Sequence, residues 1–288
     1  MLPPDAAAML AAMLLEAPPS SRAPIPAFMR ADGGVRVVMA GEGKRAAPMT
    51  IAESGGYRIR FPRSGEGVLI NTGGGMASGD RMRVDLSVLA GAEAVVTSQA
   101  AEKIYRSDGI DTDIAVDLTL ESRSNLAWLP QEQILFDGAR LRRILDVRMA
   151  ADASLALVES VVFGRLAMGE TVRKGAFRDR WRIRRDGRLI FAEDARLEGA
   201  PDRALARRAV ANGARAMATF LHIAPDAEGR IEDARALLEV ASSECGASAW
   251  DGMLVARFLA PDPQALRADL SRFVEGMRGA PMPRSWQI

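Results

Sequence analysis

The sequence predicts a mainly β protein: stacked antiparallel or mixed sheets that form a β-helix-like body, followed by a small C-terminal helical subdomain. From about residue 30 to residue 195, apolar and polar side chains alternate with a period of two, as in half-buried strands, and glycine turns separate the short runs. Beyond residue 200 the apolar spacing changes to three and four, which is typical of helices. No clear linker separates the two parts. We therefore expect a single domain over residues 26–288, with the β body at about 26–200 and the helical subdomain at about 201–280.

Several runs of the β body show the alternation clearly. Residues 114–120 and 145–149 place an apolar side chain at every second position. The same alternation around Trp181 and Ile183 ends at Asp186-Gly187, a two-residue turn that leads into the apolar run 189–191. This last pattern predicts a β-hairpin.

The C-terminal part contains three helical patterns. Residues 203–221, 231–240 and 263–277 carry apolar side chains at helical spacings, and Asp202 and Asp262 stand where helix caps are expected. Between the last two patterns, the run 253–259 predicts a strand that returns to the core.

Residues 1–25 form an N-terminal extension. Its apolar stretch, Ala6 to Leu15, is too short to span a membrane, and no Lys or Arg precedes it as in a secretory signal. A helix docked on the body or on a partner and a loose tail are both compatible with this segment, which four prolines between residues 18 and 26 set apart.

The composition is that of a soluble globular protein, with 48% hydrophobic and 26% charged residues. Because 38 Lys and Arg nearly balance 37 Asp and Glu, no overall field would attract nucleic acid or a membrane surface. The single cysteine, Cys245, excludes an intrachain disulfide and suits a reducing cytoplasm. We expect a cytoplasmic protein that binds neither nucleic acid nor membrane.

The glycine-rich run 71–81 is the least ordinary stretch of the chain. Four glycines within seven residues allow positive φ angles and close backbone approach. A phosphate-binding loop would be followed by a helix, but here an alternating strand follows Asp80. We therefore interpret the run as a sharp corner between strands, in which Asp80 accepts hydrogen bonds from loop N–H groups or pairs with Arg81 or Arg83.

The residues give weak support to an enzyme. The only histidine, His222, and the only cysteine lack the spacing of a zinc site, so we expect no permanently bound metal. His222 is interpreted as a packed or surface residue. Most carboxylates should pair with the abundant arginines, and the nucleophile motif Gly-x-Ser-x-Gly is absent. A transient metal route of carboxylates, carbonyls and water stays open.

The run 126–139 contains two large aromatic side chains and a proline. Trp128 and Phe136 fit either core anchors or a protein-binding surface, and core is the favoured interpretation. Pro130 indicates a sheet edge or a bend.

Five sequence blocks together resemble the UreD (UreH) family of urease accessory proteins. They occur in the order expected for that family and cover roughly residues 60–200 and the C-terminal end; at 76–78 the chain departs from the usual family pattern. The blocks are Asn71-Thr72-Gly73-Gly74-Gly75 with Gly79-Asp80-Arg81, the run 97–107, Trp128-Leu129-Pro130-Gln131-Glu132, Phe163-Gly164-Arg165 with Gly169-Glu170, and Pro283-Arg284-Ser285-Trp286.

The resemblance implies a non-catalytic maturation factor with a mainly β fold. Such a protein would bind urease apoprotein and recruit the accessory protein UreF, through which the GTPase UreG and nickel arrive. Nickel would pass transiently through an internal, water-filled route, with no permanently bound cofactor. Candidates that the resemblance implies for the nickel path are Asp80, Glu132, Asp137, Glu159 and Glu170. Candidates for a scaffold or partner-binding role are Gly74, Gly79, Gln99, Lys103, Tyr105, Trp128 and Gln131.

A carboxylate-dependent hydrolase of β architecture is the alternative hypothesis. It would require a concave cleft with two close acids whose pKa values are perturbed. An assembly factor would instead expose apolar surface to its partners and dissolve poorly alone.

Overall fold

The computed structural model describes residues 30–43, 46–63 and 66–287. The predicted N-terminal extension, residues 1–25, lies outside these ranges. The strands are β1 (Asp32–Ala40), β2 (Ala47–Ser54), β3 (Tyr57–Arg63), β4 (Glu66–Asn71), β5 (Arg81–Val88), β6 (Glu93–Ser98), β7 (Glu102–Ile104), β8 (Thr112–Leu120), β9 (Asn125–Leu129), β10 (Gln133–Leu135), β11 (Arg140–Met149), β12 (Ser154–Phe163), β13 (Gly175–Arg185), β14 (Arg188–Gly199), β15 (Ala216–Ile223), β16 (Glu244–Trp250) and β17 (Met253–Ala260). The α-helices are α1 (Pro201–Ala206), α2 (Ile231–Leu238) and α3 (Pro263–Arg278), and short 3₁₀ turns lie at Leu166–Met168, Glu228–Arg230 and Arg284–Trp286.

Within the described residues, the strands form two sheets. The first has seven strands in the order β14-β13-β11-β8-β5-β1-β2. The second has ten strands, of which eight follow the order β16-β17-β15-β12-β9-β6-β4-β3, while β7 and β10 pair beside β12. The chain alternates between the sheets, because β5, β8 and β11 belong to the first and β6, β9 and β12 to the second.

Successive passes of the chain stack in parallel. β5 pairs with β8, β8 with β11 and β11 with β13, all in parallel, whereas the outer pairs β1–β2 and β13–β14 are antiparallel. The mainly β, stacked-sheet prediction is therefore confirmed, and the sheets are mixed rather than purely antiparallel.

The predicted hairpin at Asp186-Gly187 is confirmed as the link between β13 and β14. Asp186 and Gly187 have φ angles of 48° and 77°. Positive φ at both turn positions matches the right-handed twist of the paired strands, which explains why an Asp-Gly pair occurs here.

The glycine-rich run is a corner that carries the chain from β4 in the second sheet to β5 in the first. Asp80 accepts hydrogen bonds from the N–H of Ala77 at 2.7 Å and from the N–H of Ala31 at 2.8 Å. The corner interpretation holds, and Asp80 fixes the loop through backbone amides, while Arg81 lies near Asp32 and Asp113.

The prediction of one helix over residues 203–221 is wrong. Only Pro201–Ala206 is helical, and Ala216–Ile223 forms β15 between β12 and β17. Asp202 does not cap this helix, because Ala200 stands at the N-cap and no side chain among the described residues forms a capping hydrogen bond there. Asn212 and Gly213 adopt positive φ angles of 49° and 85°, which interrupts a helix. Because β15 is buried on both faces, it lacks the alternation that identifies a half-exposed strand.

The predictions for residues 231–277 are confirmed. The predicted helices at 231–240 and 263–277 correspond to α2 and α3, and the predicted strand at 253–259 corresponds to β17. The carboxylate of Asp262 caps α3 by accepting the N–H of Gln264 at 3.0 Å.

In the part of the chain that the structure describes, the buried apolar side chains form two hydrophobic cores. The larger lies between the two sheets, and the smaller packs α2 and α3 on the outer face of the ten-stranded sheet. The C-terminal Trp286 completes the smaller core, where its indole N–H donates to the carbonyl of Leu129 at 3.0 Å.

Candidate functional site

A cavity of about 280 Å³ lies between the inner faces of the two sheets. The seven-stranded sheet contributes Val35, Met82, Val84, Ile114, Val116 and Arg143 to its lining, and the strands of the other sheet contribute Tyr57, Leu69, Trp128, Gln133 and Glu159 among others. Residues Gly74, Gly75 and Glu102 also line it, so the cavity extends from the glycine-rich corner to a group of buried charges. Its volume leaves room for several water molecules.

The buried charges form a cluster around Arg143. Its guanidinium donates to Asp179, with Nε 2.8 Å from Oδ1, and to Oε2 of Glu159. Arg143, Glu159 and Asp179 are 1%, 4% and 6% exposed. A second donor, the indole N–H of Trp128, lies 2.9 Å from Oε1 of Glu159.

Burial and mutual attraction act in opposite directions on these groups. Burial raises the pKa of Glu159, and the neighbouring Arg143 partly counteracts that rise. Burial alone would lower the pKa of Arg143, but Asp179 and Glu159 outweigh it, so the guanidinium stays charged. A single cation thus lies between two carboxylates, an arrangement that is costly to break because one partner would be left buried and uncompensated.

At the other end of the cavity, Glu102 lies against the glycine-rich corner. Its Oε1 accepts a hydrogen bond from the side-chain amide of Asn71 at 2.9 Å, and that amide also donates to the carbonyl of Gly75 at 3.2 Å. Burial raises the pKa of Glu102 to about 7, and the charge of Asp80 adds to the rise. Glu102 therefore exchanges a proton near neutral pH.

Gln133 supplies an unusual acceptor to the same cavity. The side chain is 6% exposed, and its Oε1 has no hydrogen-bond partner among the described residues. Its amide nitrogen lies 3.5 Å from Oε2 of Glu159. Because buried polar atoms are nearly always hydrogen-bonded, the free oxygen indicates a place for water or another polar ligand inside the cavity.

Of the five carboxylates predicted for a nickel path, Glu159 lines the cavity and the other four lie outside its lining. Asp80 fixes the corner, as described above. Glu132 pairs with Arg267 at 2.8 Å, Asp137 with Arg173 at 3.2 Å, and Glu170 with Arg165 at 2.8 Å. The structure therefore does not bring the five carboxylates together.

The predicted scaffold residues divide into cavity-lining and corner residues. Gly74, Gln99, Lys103, Trp128 and Gln131 line the cavity. Tyr105 donates its hydroxyl to the carbonyl of Gly74 at 3.0 Å, and Gly79, with a φ of 78°, packs against Arg30.

Trp128 is a core residue, as expected, with 2% exposure. Pro130 directly follows the end of β9, in agreement with the predicted bend. His222 is packed, with Nδ1 3.2 Å from the carbonyl oxygen of Leu155, and burial lowers its pKa.

Sequence reasoning missed Glu102, Gln133, Arg143 and Asp179 as parts of one site. A signal existed for two of them: Arg143 shares its strand face with Leu141 and Leu145, and Asp179 shares its face with Phe177 and Trp181. A charge on an otherwise apolar face predicts a buried polar cluster. No such signal exists for Glu102, whose burial depends on the distant corner.

Within residues 30–43, 46–63 and 66–287, no three His, Cys, Asp or Glu side chains are grouped closely enough to hold a metal ion. Nor is any helix in these ranges long and apolar enough to cross a membrane.

Taken together, the fold and the site define a two-sheet β protein with a mainly apolar cavity between the sheets, into which a few charged and amide side chains project. The sequence profile described as UreD urease accessory protein matches residues 31–287. The chain belongs to this family of urease accessory proteins.

Individual relatives agree with this assignment. The chain is 50% identical to a urease accessory protein UreD of Methylobacterium sp. (strain 4-46), over 92% of this chain and 98% of the relative. It is 47% identical to a UreD of Azorhizobium caulinodans, over 91% and 98% of the two chains. A protein named UreD 2 from Methylorubrum populi is 48% identical, over 96% of this chain and 95% of its own length.

Proposed function

We propose that this chain is a non-catalytic assembly factor that binds urease apoprotein and recruits UreF and, through UreF, the GTPase UreG. In this proposal nickel is a cargo, which passes through the cavity between the sheets toward the urease active site. Membership of the urease accessory family supports the assembly role. The observation that carries the route is the free Gln133 oxygen inside a cavity that Glu102 and Glu159 also line.

The oxygen-bearing part of the lining suits brief contact with a hydrated divalent ion, and the cationic side chains of Arg58, Arg83, Lys103 and Arg143 on the same lining oppose a long stay of a cation. Carboxylate and amide oxygens are hard ligands, and nickel prefers nitrogen and sulfur donors for tight binding. Glu102 and Gln133 offer oxygen atoms, whereas both oxygens of Glu159 already accept hydrogen bonds from protein groups. The ion would therefore keep most of its water. Weak contacts of this kind allow movement, whereas a complete ligand set would trap the ion.

Glu102 gives the route a proton dependence. With a pKa of about 7, it is about half ionised at neutral pH and would attract a cation more strongly as the pH rises. Binding of a cation would also favour loss of the Glu102 proton, so cation entry and proton release would be coupled.

The hydrolase hypothesis would use the same two acids, because Glu102 and Glu159 both line the cavity and both have raised pKa values. Glu159, however, is engaged by Arg143, Trp128 and Gln133, which restricts its use as an acid or base. We therefore favour the assembly factor.

The test is to produce urease with its accessory proteins and either the wild-type chain or the double variant Glu102→Gln/Gln133→Leu. Both substitutions nearly preserve side-chain volume while removing the ionisable group and the free acceptor. We expect the variant to co-purify with urease apoprotein, while the nickel content of the urease, measured by mass spectrometry, falls severalfold. Glu239→Gln, a change at an exposed position outside the cavity, is the matched control.

Two results would contradict the proposal separately. Normal nickel loading with the double variant would overturn the route but not the assembly role. Full nickel loading of urease in a host that lacks this chain, or failure of the wild-type chain to associate with urease and UreF, would overturn the assembly role. Turnover of a substrate by the isolated chain would favour the hydrolase.

A further inference from the structure

A second concave surface lies apart from the cavity and carries an excess of positive charge. This groove, of about 650 Å³, is lined by four cationic side chains: Arg106, Arg173, Lys174 and Arg203. None of its lining residues also lines the cavity between the sheets. We propose that this basic groove binds an acidic segment of a partner polypeptide.

The groove is assembled from four separate parts of the chain. Arg106 follows β7, and Gly138 lies in the turn between β10 and β11. Lys174 immediately precedes β13, and Arg203 belongs to α1 after β14. Cations from distant segments thus converge on one concavity, which distinguishes the groove from a run of basic residues on one exposed strand.

Hydrogen bonds to Asp137 hold two of these segments together. Its Oδ1 accepts the N–H groups of Arg173 at 2.7 Å and Lys174 at 3.0 Å, and its Oδ2 lies 3.2 Å from the Arg173 guanidinium. The N–H of Gly138 in turn donates to the carbonyl of Lys174 at 2.8 Å. These bonds hold the Arg173-Lys174 segment against the 137–138 turn.

The same bonds leave the groove electropositive. The Asp137 carboxylate accepts hydrogen bonds from the backbone N–H groups of Arg173 and Lys174 and from the Arg173 guanidinium. Burial alone would raise the pKa of Asp137, but these bonds outweigh burial and lower it. The other carboxylate of the groove, Asp202, accepts the N–H of Arg203 at 2.7 Å. Two carboxylates therefore face four cations. Among the described residues, Arg106, Lys174 and Arg203 have no carboxylate within ion-pair distance.

The shape of the groove depends on a glycine at position 138. Gly138 has a φ of 84°, and a Cβ added there would lie 2.9 Å from Cγ of Arg106. Any other residue at this position would push against the Arg106 side chain, which would change one wall of the groove.

The donor set favours carboxylates on a peptide over phosphate. Phosphate sites usually present free backbone N–H groups. Here the N–H groups of Gly138, Arg173, Lys174 and Asp202 already donate to protein oxygens. The available donors are side chains spread along a groove, and guanidinium groups pair well with carboxylates that a peptide presents at intervals.

The test uses the full chain and a fluorescein-labelled peptide of four Glu-Gly repeats, with the Gln-Gly peptide as the uncharged control. Fluorescence anisotropy at an ionic strength of about 0.15 M, where the Debye length is about 8 Å, should show saturable binding of the Glu-Gly peptide only. Lys174→Glu/Arg203→Glu should weaken that binding by at least roughly tenfold, because two attractive charges become repulsive. Both substituted side chains are exposed, and circular dichroism would verify that the variant is folded.

Arg188→Glu/Arg208→Glu is the matched control, since it makes the same change in net charge at exposed positions outside the groove. It should retain the wild-type affinity within about twofold, because solvent and salt screen distant surface charges. Equal loss in both double variants would show non-specific attraction and overturn the proposal. Groove-dependent binding of tripolyphosphate without binding of the peptide would also overturn it, in favour of a phosphate ligand. Neither result bears on nickel loading through the cavity.

Discussion

Replacing Arg143 by Met tests the central electrostatic feature of the body. The substitution keeps a long, flexible side chain but removes the one cation between Glu159 and Asp179. Breaking a buried ion pair by removing one partner typically costs about 3–5 kcal/mol. For a chain of this size each kcal/mol lowers the melting temperature by roughly 2–4 °C, so we expect a decrease of roughly 6–20 °C at neutral pH.

The loss should depend on pH in a defined direction. The folded-state pKa of Glu159 is already raised above its ordinary value of 4.5 by burial. Without Arg143 it should rise further, because the charge that favours the ionised form is gone. A carboxyl with a raised pKa stabilises the fold while protonated, and this contribution is lost as the pH rises through the folded-state pKa. The loss of unfolding free energy in Arg143→Met relative to wild type should therefore be largest at about pH 8 and become smaller toward about pH 5.

Thermal unfolding followed by circular dichroism across this pH range is the assay. The control is Arg142→Met, the adjacent residue on the outer face of β11, whose guanidinium pairs with Asp113 at 2.6 Å in a partly solvated position. Exposed pairs contribute about 0–1 kcal/mol, so this change should be nearly silent. The triple variant Arg143→Met/Glu159→Gln/Asp179→Asn removes all three charges and should regain much of the lost stability. If Arg143→Met were no worse than Arg142→Met, or if its deficit did not shrink at low pH, the buried-charge reasoning would be wrong.

Three further predictions concern separate parts of the fold. The pKa of Glu102 rises from 4.5 to about 7 on folding, so the protonated side chain stabilises the fold at low pH. Between about pH 5 and about pH 8, the wild-type chain should therefore lose roughly 1–3 kcal/mol of unfolding free energy relative to Glu102→Gln. Denaturant unfolding measures this difference, and parallel pH profiles of the two proteins would contradict the raised pKa. Gly75→Ala should destabilise the corner by roughly 1–3 kcal/mol more than Gly74→Ala does. A Cβ at Gly75 would lie 2.9 Å from the carbonyl oxygen of Lys103, whereas a Cβ at Gly74 would meet no atom within 4 Å. Equal melting temperatures of the two variants would refute the clash. Trp286→Ala should lower the free energy of unfolding by roughly 3–5 kcal/mol, because the Trp286 side chain is only 6% exposed. Trp250→Ala is the control, since Trp250 is 39% exposed and its loss should cost less than about 1 kcal/mol. Similar losses in thermal unfolding would show that Trp286 does not complete the smaller core.

Much of the fold could be predicted because its signals are local. The alternation in 114–120 and 145–149 identifies half-buried strands, and Asp186-Gly187 identifies a hairpin by its turn chemistry alone. The stretch 203–221 shows where local signals fail. Its strand, β15, is covered on one face by the larger core and on the other by the helices, so adjacent apolar residues such as Phe220 and Leu221 are both buried. Their spacing then fits a helix as well as a strand.

The candidate site could be predicted only in part, because its geometry depends on contacts between distant residues. Glu102 forms a hydrogen bond with Asn71, which lies 31 positions away in the sequence, and Arg143 pairs with Asp179, which lies 36 positions away. The family resemblance predicts Glu159 as a candidate, but its role in the buried cluster depends on the positions of three other strands, β9, β11 and β13. Prediction of the basic groove would need the same long-range information, since its four cations come from three separate segments.

The position of Trp286 has a consequence for synthesis of the chain. This indole bonds to Leu129, a residue translated much earlier, and the nearby Ser285 carbonyl accepts a hydrogen bond from Gln131 at 3.0 Å. During translation, Leu129 and Gln131 emerge long before the residues that cover them. The strands of the two sheets can pair as they leave the ribosome, but the layer beneath the helices stays open until Ser285 and Trp286 have been translated. A nascent chain therefore exposes this apolar layer to chaperones and to aggregation up to that point, and a truncation that removes Trp286 would leave part of the layer permanently uncovered.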